Sequence, residues 1–112
     1  MENEFIRYEV ERGRARITLN RPEKRNALAV GLLNELERAL WEADEDLSVH
    51  CVIIRGEGSA FCAGYDLSGS GRKRAEDGVA RRTGRTLDDD IWMLEQSNRK
   101  LRALWEIHKP SI

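Results

Sequence analysis

Residues 56–67 hold the densest run of positions where chemistry could occur: Gly56-Glu57-Gly58-Ser59-Ala60-Phe61-Cys62-Ala63-Gly64-Tyr65-Asp66-Leu67. Small residues dominate it, so main chain can come close to a ligand or to other main chain. An apolar strand running into such a turn is a common ligand position in α/β sheets. The pattern matches neither familiar phosphate loop. Gly56-x-Gly58 lacks the third glycine of a dinucleotide fingerprint, and the lysine with Ser/Thr of a P-loop is missing. On residue types alone, the segment is a small-molecule site of unspecified class.

Other reactive side chains are weaker candidates. Cys51 and Cys62 are the only cysteines and read as free, buried thiols. A nucleophilic Cys62 would need a histidine base, and the two histidines, His50 and His108, precede a strand and end a helix. Residues 68–86 are glycine-rich and basic, with Arg72, Lys73, Arg74, Arg81, Arg82 and Arg85. They read as a mobile, solvated loop, with contact to a phosphate as the alternative. A formal net charge of -1 and the lack of interleaved aromatics argue against nucleic acid as a partner.

The composition, 40% hydrophobic and 35% charged over 112 residues, is that of one small, charge-rich domain. No apolar run approaches the roughly 18 residues of a membrane span. Met1-Glu2-Asn3-Glu4 has neither the basic head nor the apolar stretch of a signal peptide, so a cytoplasmic address and no membrane partner are expected.

The elements that must position the small-residue turn are legible in the periodicity. Residues 5–11 read as a half-exposed strand. Ala15, Ile17 and Leu19 alternate on one face of a second, and Arg12-Gly13-Arg14 reads as the hairpin turn between them. Pro22 stops the second strand. Asn26 is expected to cap a helix in which Ala29, Leu32, Leu33, Leu36, Leu40 and Ala43 face inward. Asn34, Glu35, Glu37, Arg38, Glu42 and Glu45 are expected on its outer face. The apolar run 49–54, containing Val52-Ile53-Ile54, reads as a strand covered on both sides and parallel to an earlier one. Asp88-Asp89-Asp90 opens a second long helix marked by Leu87, Ile91, Leu94, Leu101, Leu104 and Trp105 and ending near His108. Trp41, Trp92 and Trp105 are expected in the core or at a subunit contact. Lys109-Pro110 closes that helix, and Ser111-Ile112 reads as the start of another strand. The fold class is α/β, in the order β-β-α-β-loop-α.

Three segments carry a resemblance. Ile17-Thr18-Leu19-Asn20-Arg21-Pro22 runs into Lys24-Arg25-Asn26-Ala27-Leu28; then come Val52-Ile53-Ile54-Arg55-Gly56 and Phe61-Cys62-Ala63-Gly64-Tyr65-Asp66-Leu67. In order and spacing the chain resembles the enoyl-CoA hydratase/isomerase (crotonase) family, and Lys109-Pro110-Ser111-Ile112 resembles the entry to that family's next core strand. The resemblance implies that residues 1–112 are the N-terminal part of a crotonase-like domain, an incomplete spiral of ββα units. It also implies an acyl-CoA thioester as substrate, with coenzyme A entering as part of it and with no permanent cofactor or metal. Lys24, Arg25 and Ala27 would lie along the coenzyme A moiety. The carbonyl of Ala63 would meet the adenine amino group, and the main-chain N–H of Tyr65 would be one of two that grip the thioester carbonyl. Gly64, Asp66, Leu67 and Ser68 would complete the ligand-lining turn.

For several of these residues a plainer reading stands alongside. Lys24 and Arg25 also read as solvated charges between strand and helix. The Tyr65 ring reads as a pocket wall or packing more readily than as a proton donor, and Asp66 as a turn-stabilising acceptor more readily than as a base. The resemblance places the second oxyanion N–H and the catalytic glutamates beyond Ile112. None of Glu57, Glu76 and Asp77 matches the family's acid/base positions, so hydratase activity is not expected of the 112 residues alone. Hydration of a 2-enoyl-CoA is the simplest implied reaction. Isomerisation, dehydration, thioester hydrolysis, C–C bond chemistry and a non-catalytic CoA-binding or assembly role stay open. A homo-oligomer, trimer or hexamer, is implied for the whole protein.

Overall fold

A computed structural model of the chain describes residues 3–66 and 87–112. A three-stranded sheet, β1 (Ile6–Glu11), β2 (Arg14–Leu19) and β3 (Cys51–Gly56), lies in the spatial order β1-β2-β3. The first two strands pair antiparallel, from Ile6 opposite Leu19 to Glu11 opposite Arg14. Between them Arg12 and Gly13 take φ of 53° and 79°, the primed two-residue turn whose twist matches the strands it joins. The third strand pairs parallel with the second, Arg14 opposite Cys51 through Leu19 opposite Gly56. A parallel pair needs a crossover, and helix α1 (Val30–Glu45) supplies it.

The alternation expected of β2 is present. Ala15, Ile17 and Leu19 are buried against Leu32, Leu36, Leu40 and Ala43 of α1. Two expectations about that helix are corrected. Asn26 does not cap it, because the cap position is Ala29, with no side-chain bond to the first turn. Glu35 does not lie on the outer face. It is buried, and its Oε1 accepts the N–H groups of Phe5 at 2.9 Å and Ile6 at 3.3 Å. The carboxylate thus satisfies two donors at the entry to β1, which offsets its loss of water.

The second long helix is α2 (Leu87–Leu101), followed after a break at Arg102 by the short α3 (Ala103–Glu106). Ala103 and Ile107 are buried, and Leu101 and Leu104 pack on the core. Leu87, Ile91 and Leu94, which mark the helix in the sequence, are exposed. None of the tryptophans is core: Trp41, Trp92 and Trp105 are 36%, 61% and 89% exposed. Cys51 and Cys62 are free thiols, as expected, but each is only partly buried.

Beyond α3 the chain returns to the sheet. Val52 N–H donates to Pro110 O, Ile112 N–H to Val52 O and Ile54 N–H to Ile112 O, at 2.8–2.9 Å. A second parallel ladder, to a fourth strand, therefore begins at Ser111, as the sequence predicts. Asp44 anchors this return, its Oδ1 accepting the N–H groups of His108 and Lys109 at 2.9 and 3.1 Å. Burial pushes the Asp44 carboxyl upward, but these two bonds, with the His108 ring and its charge, outweigh it and hold the group below its usual range. Lys109 Nζ donates to the carbonyls of Ala43 and Asp46, placing a cation where the α1 dipole is negative. Among the described residues, no helix is long and apolar enough to cross a membrane.

Candidate functional site

The site grows from the end of β2. Pro22 opens a 3-10 turn, Pro22–Lys24, and Arg25 and Asn26 both adopt left-handed backbone, φ 51° and 57°. Asn and Asp tolerate that region better than most residues because a short polar side chain can bond locally. Here the side chain does more. Asn26 is fully buried; its Oδ1 accepts the Arg21 N–H at 2.7 Å, and its Nδ2 donates to Glu57 O at 3.0 Å and Ala60 O at 2.9 Å. One amide therefore ties the turn after β2 to the turn after β3.

The second turn must lie close for that to work. A Cβ on Gly56 would stand 2.5 Å from Phe61 O and 2.7 Å from Ala60 O, so only glycine permits the chain to fold back there. At the far end Gly64 takes φ 91°, a conformation costly for any residue with a side chain. Its N–H approaches Cys62 Sγ at 3.4 Å.

Leu28 and Tyr65 then form a one-residue parallel bridge. Leu28 N–H donates to Gly64 O at 2.7 Å, and Asp66 N–H donates to Leu28 O at 3.1 Å. A trans peptide places its C=O and N–H on opposite sides of one plane. Because Gly64 C=O points at Leu28, the Tyr65 N–H of the same peptide points away from it. Among the described residues nothing accepts that N–H. It is a main-chain donor whose direction is set by a neighbouring hydrogen bond.

Arg21 closes the arrangement. Its Nη1 donates to Ala27 O at 2.8 Å and to Asp66 Oδ2 at 3.2 Å, with both side chains of the ion pair about nine-tenths covered. The guanidinium also lies over the Phe5 ring, 5.5 Å from its centroid. Asp66 is thus engaged by an arginine, which agrees with the turn-stabilising reading.

The structure brings together most of the residues singled out from the sequence. Lys24 and Arg25 are exposed on the turn beside the Leu28–Tyr65 bridge. Ala27 is buried, its N–H bonded to Lys24 O and its C=O to Arg21. Ala63, Gly64 and Tyr65 are exposed on the facing turn. Leu67, Ser68 and the basic segment 68–86 lie outside the described residues. His50 packs on Gly13 and His108 sits beside Asp44, so neither serves Cys62. Glu57 is paired with Arg7 at the surface. Sequence reasoning missed Arg21 and Asn26 as the residues that join the two turns. One available signal was the opposite charge of Arg21 and Asp66, each at the edge of a segment already flagged. A cleft lined by Trp41, Glu37 and Glu45 on the outer side of α1 contains none of these residues.

Comparison with known proteins adds to this geometry. The family model described as enoyl-CoA hydratase/isomerase matches residues 9–98. A Mycobacterium tuberculosis (strain H37Rv) protein carrying an enoyl-CoA hydratase name, EchA13, is 52% identical over 68 residues, which are 59% of this chain and 21% of the relative. The 1,2-epoxyphenylacetyl-CoA isomerase of Escherichia coli K12 is 38% identical over 65 residues, 58% of this chain and 25% of that protein. The crystal structure of an enoyl-CoA hydratase/isomerase from Xanthobacter autotrophicus Py2 superimposes with a TM-score of 0.81 at 34% identity, covering 98% of this chain and 38% of the other. The chain thus spans about a quarter of the curated relatives it matches.

Proposed function

Since the chain belongs to the enoyl-CoA hydratase/isomerase family and carries part of its crotonase-like ββα spiral, we propose that the whole protein transforms acyl-CoA thioesters, most simply by adding water across a 2-enoyl-CoA double bond. The observation that carries this reading is the Tyr65 N–H, aimed away from Leu28 and free of any protein acceptor among the described residues. Reaction at the carbons beside a thioester moves negative charge onto the carbonyl oxygen. A donor fixed in advance stabilises that charge without reorganising, and losing one such donor costs about 2.7–4 kcal/mol in other enzymes. Ala63, preceding the same turn, would present its carbonyl to the adenine, and Lys24 and Arg25 would face the coenzyme A phosphates from the opposite turn.

Two acids near the turns are engaged by arginines, Glu57 by Arg7 and Asp66 by Arg21. Proton transfer would then rest with residues the family carries outside these 112. Isomerisation is the second reading, favoured by the likeness to the 1,2-epoxyphenylacetyl-CoA isomerase; the two reactions differ in how the proton groups are placed, not in the carbonyl grip. Titration calorimetry with coenzyme A and with a saturated acyl-CoA tests the binding part: micromolar-range heats are expected, and no heat with either ligand would refute it. Loss of the enoyl absorbance of crotonyl-CoA on adding the whole protein separates hydration from isomerisation.

A further inference from the structure

The Tyr65 hydroxyl donates to Asn98 Oδ1 on α2 at 2.6 Å. The residue proposed to supply the carbonyl donor is therefore held at both ends. Its backbone is fixed by the flanking bonds of Gly64 and Asp66 to Leu28, and its ring is pinned across the gap to the next helix. The hydroxyl lies on the long axis of the ring, so holding it fixes the direction in which the ring projects from the backbone. Two turns and one turn of α2 upstream of Asn98, Ile91 and Leu94 are exposed and apolar, 45% and 57%. The ring thus reaches from the turn that carries this N–H to the helix that carries these apolar residues.

We propose that Asn98 is a specificity-determining positioning residue: by latching the Tyr65 ring it bars long acyl chains from the apolar surface of α2, so that the site selects short acyl groups. This rests on the acyl-CoA reading above. A chain leaving the carbonyl toward α2 must pass the ring. With the latch in place the ring cannot swing aside, and with the latch broken it can. The Asn98 side chain need not touch the substrate for this, since it acts through the tyrosine.

The test compares acetyl-CoA, hexanoyl-CoA, decanoyl-CoA and free coenzyme A as ligands in calorimetry on the full chain. The proteins are wild type, Asn98→Ala, Asn98→Asp and Tyr65→Phe, each checked for an unchanged circular dichroism spectrum. Wild type is expected to favour acetyl-CoA over decanoyl-CoA. Asn98→Ala and Tyr65→Phe are expected to shift that ratio about tenfold or more toward decanoyl-CoA, the scale at which pocket shape discriminates apolar groups. Asn98→Asp keeps an acceptor for the hydroxyl and is expected to retain the wild-type ratio. A merely structural role would weaken all ligands together, coenzyme A included, and leave the ratio unmoved. That result, in either latch-breaking variant that folds, would overturn the proposal while leaving the acyl-CoA reading intact. Failure of wild type to bind any of the four ligands would instead remove the reading beneath it.

Discussion

Asn26 is the residue on which the two turns of the site depend most. Its amide makes bonds in both directions, and carbonyls accept from it at two points more than 30 residues away in sequence. Asn26→Ala is expected to destabilise the protein by about 2–4 kcal/mol in urea denaturation, because three part-buried main-chain groups lose their partner and alanine resists a positive φ. Asn26→Asp is the sharper experiment. It has the same shape, but above pH 5 it turns a carboxylate oxygen toward the Glu57 and Ala60 carbonyls, and it should cost at least as much as alanine. Lowering the pH should recover part of that loss, since a protonated oxygen can donate. Replacing Arg21 with methionine removes the covered ion pair and the bond to Ala27, and about 3 kcal/mol of stability should go with it; coenzyme A affinity, read by calorimetry, should fall as the turns separate. Beyond the opposite charges of Arg21 and Asp66, neither role was legible in the sequence. Asn before an apolar helix is statistically a cap, and the carbonyls that claim it here are brought near only by the sheet. The small-residue run 56–67, by contrast, was legible, because the close backbone approach at Gly56 restricts residue type locally.

Among the elements, β2 was the easiest to read and α1 the most deceptive. The face of β2 that buries Ala15, Ile17 and Leu19 imposes a strict period of two. The apolar stripe of α1 was equally clear, yet polarity alone assigned Glu35 to water. The structure keeps it inside because the start of β1 presents two N–H groups that need an acceptor. Glu35→Ala should therefore speed hydrogen exchange at the Phe5 and Ile6 amides and lower stability by about 1–3 kcal/mol, while the outward Glu37→Ala should do neither. Asp44 governs the other end of the helix. Its carboxyl is held below its ordinary value of 3.8 in the folded chain. The carboxylate's contribution is thus complete above that value and disappears as the pH falls through the lower, native one. Acid titration followed by the fluorescence of Trp105, which lies in α3 just ahead of His108, should show an early loosening of residues 108–112. In Asp44→Asn, which retains an acceptor but no charge, that acid step should be absent.

At the scale of the whole chain, much apolar surface faces water: Leu47 is 96% exposed, Trp105 89%, Leu87 74% and Trp92 61%. Where such residues form a patch, they usually mark contact with more protein. The chain also spans only 38% of the solved structure it superimposes on. Prepared as 112 residues, it should bind a hydrophobic dye such as ANS and self-associate with rising concentration in analytical ultracentrifugation, and Trp105→Glu should reduce both. The hydrophobic periodicity of residues 87–105 announced a helix but not which side would be covered, since that depends on neighbours the pattern cannot name. Family membership, in turn, came from several short motifs in register rather than from any one of them.

The Leu28–Gly64 hydrogen bond has an evolutionary corollary. It aims a donor that belongs to the peptide unit, so the genetic code has almost no way to erase it: of the substitutions possible at position 65, proline alone removes the hydrogen. Drift at that codon can therefore exchange rings, chains and charges while the main-chain donor persists. A lineage is free to experiment with the substituent beside the proposed carbonyl donor without gambling the donor itself. Tyrosine, with its hydroxyl reaching Asn98, is one outcome of that freedom.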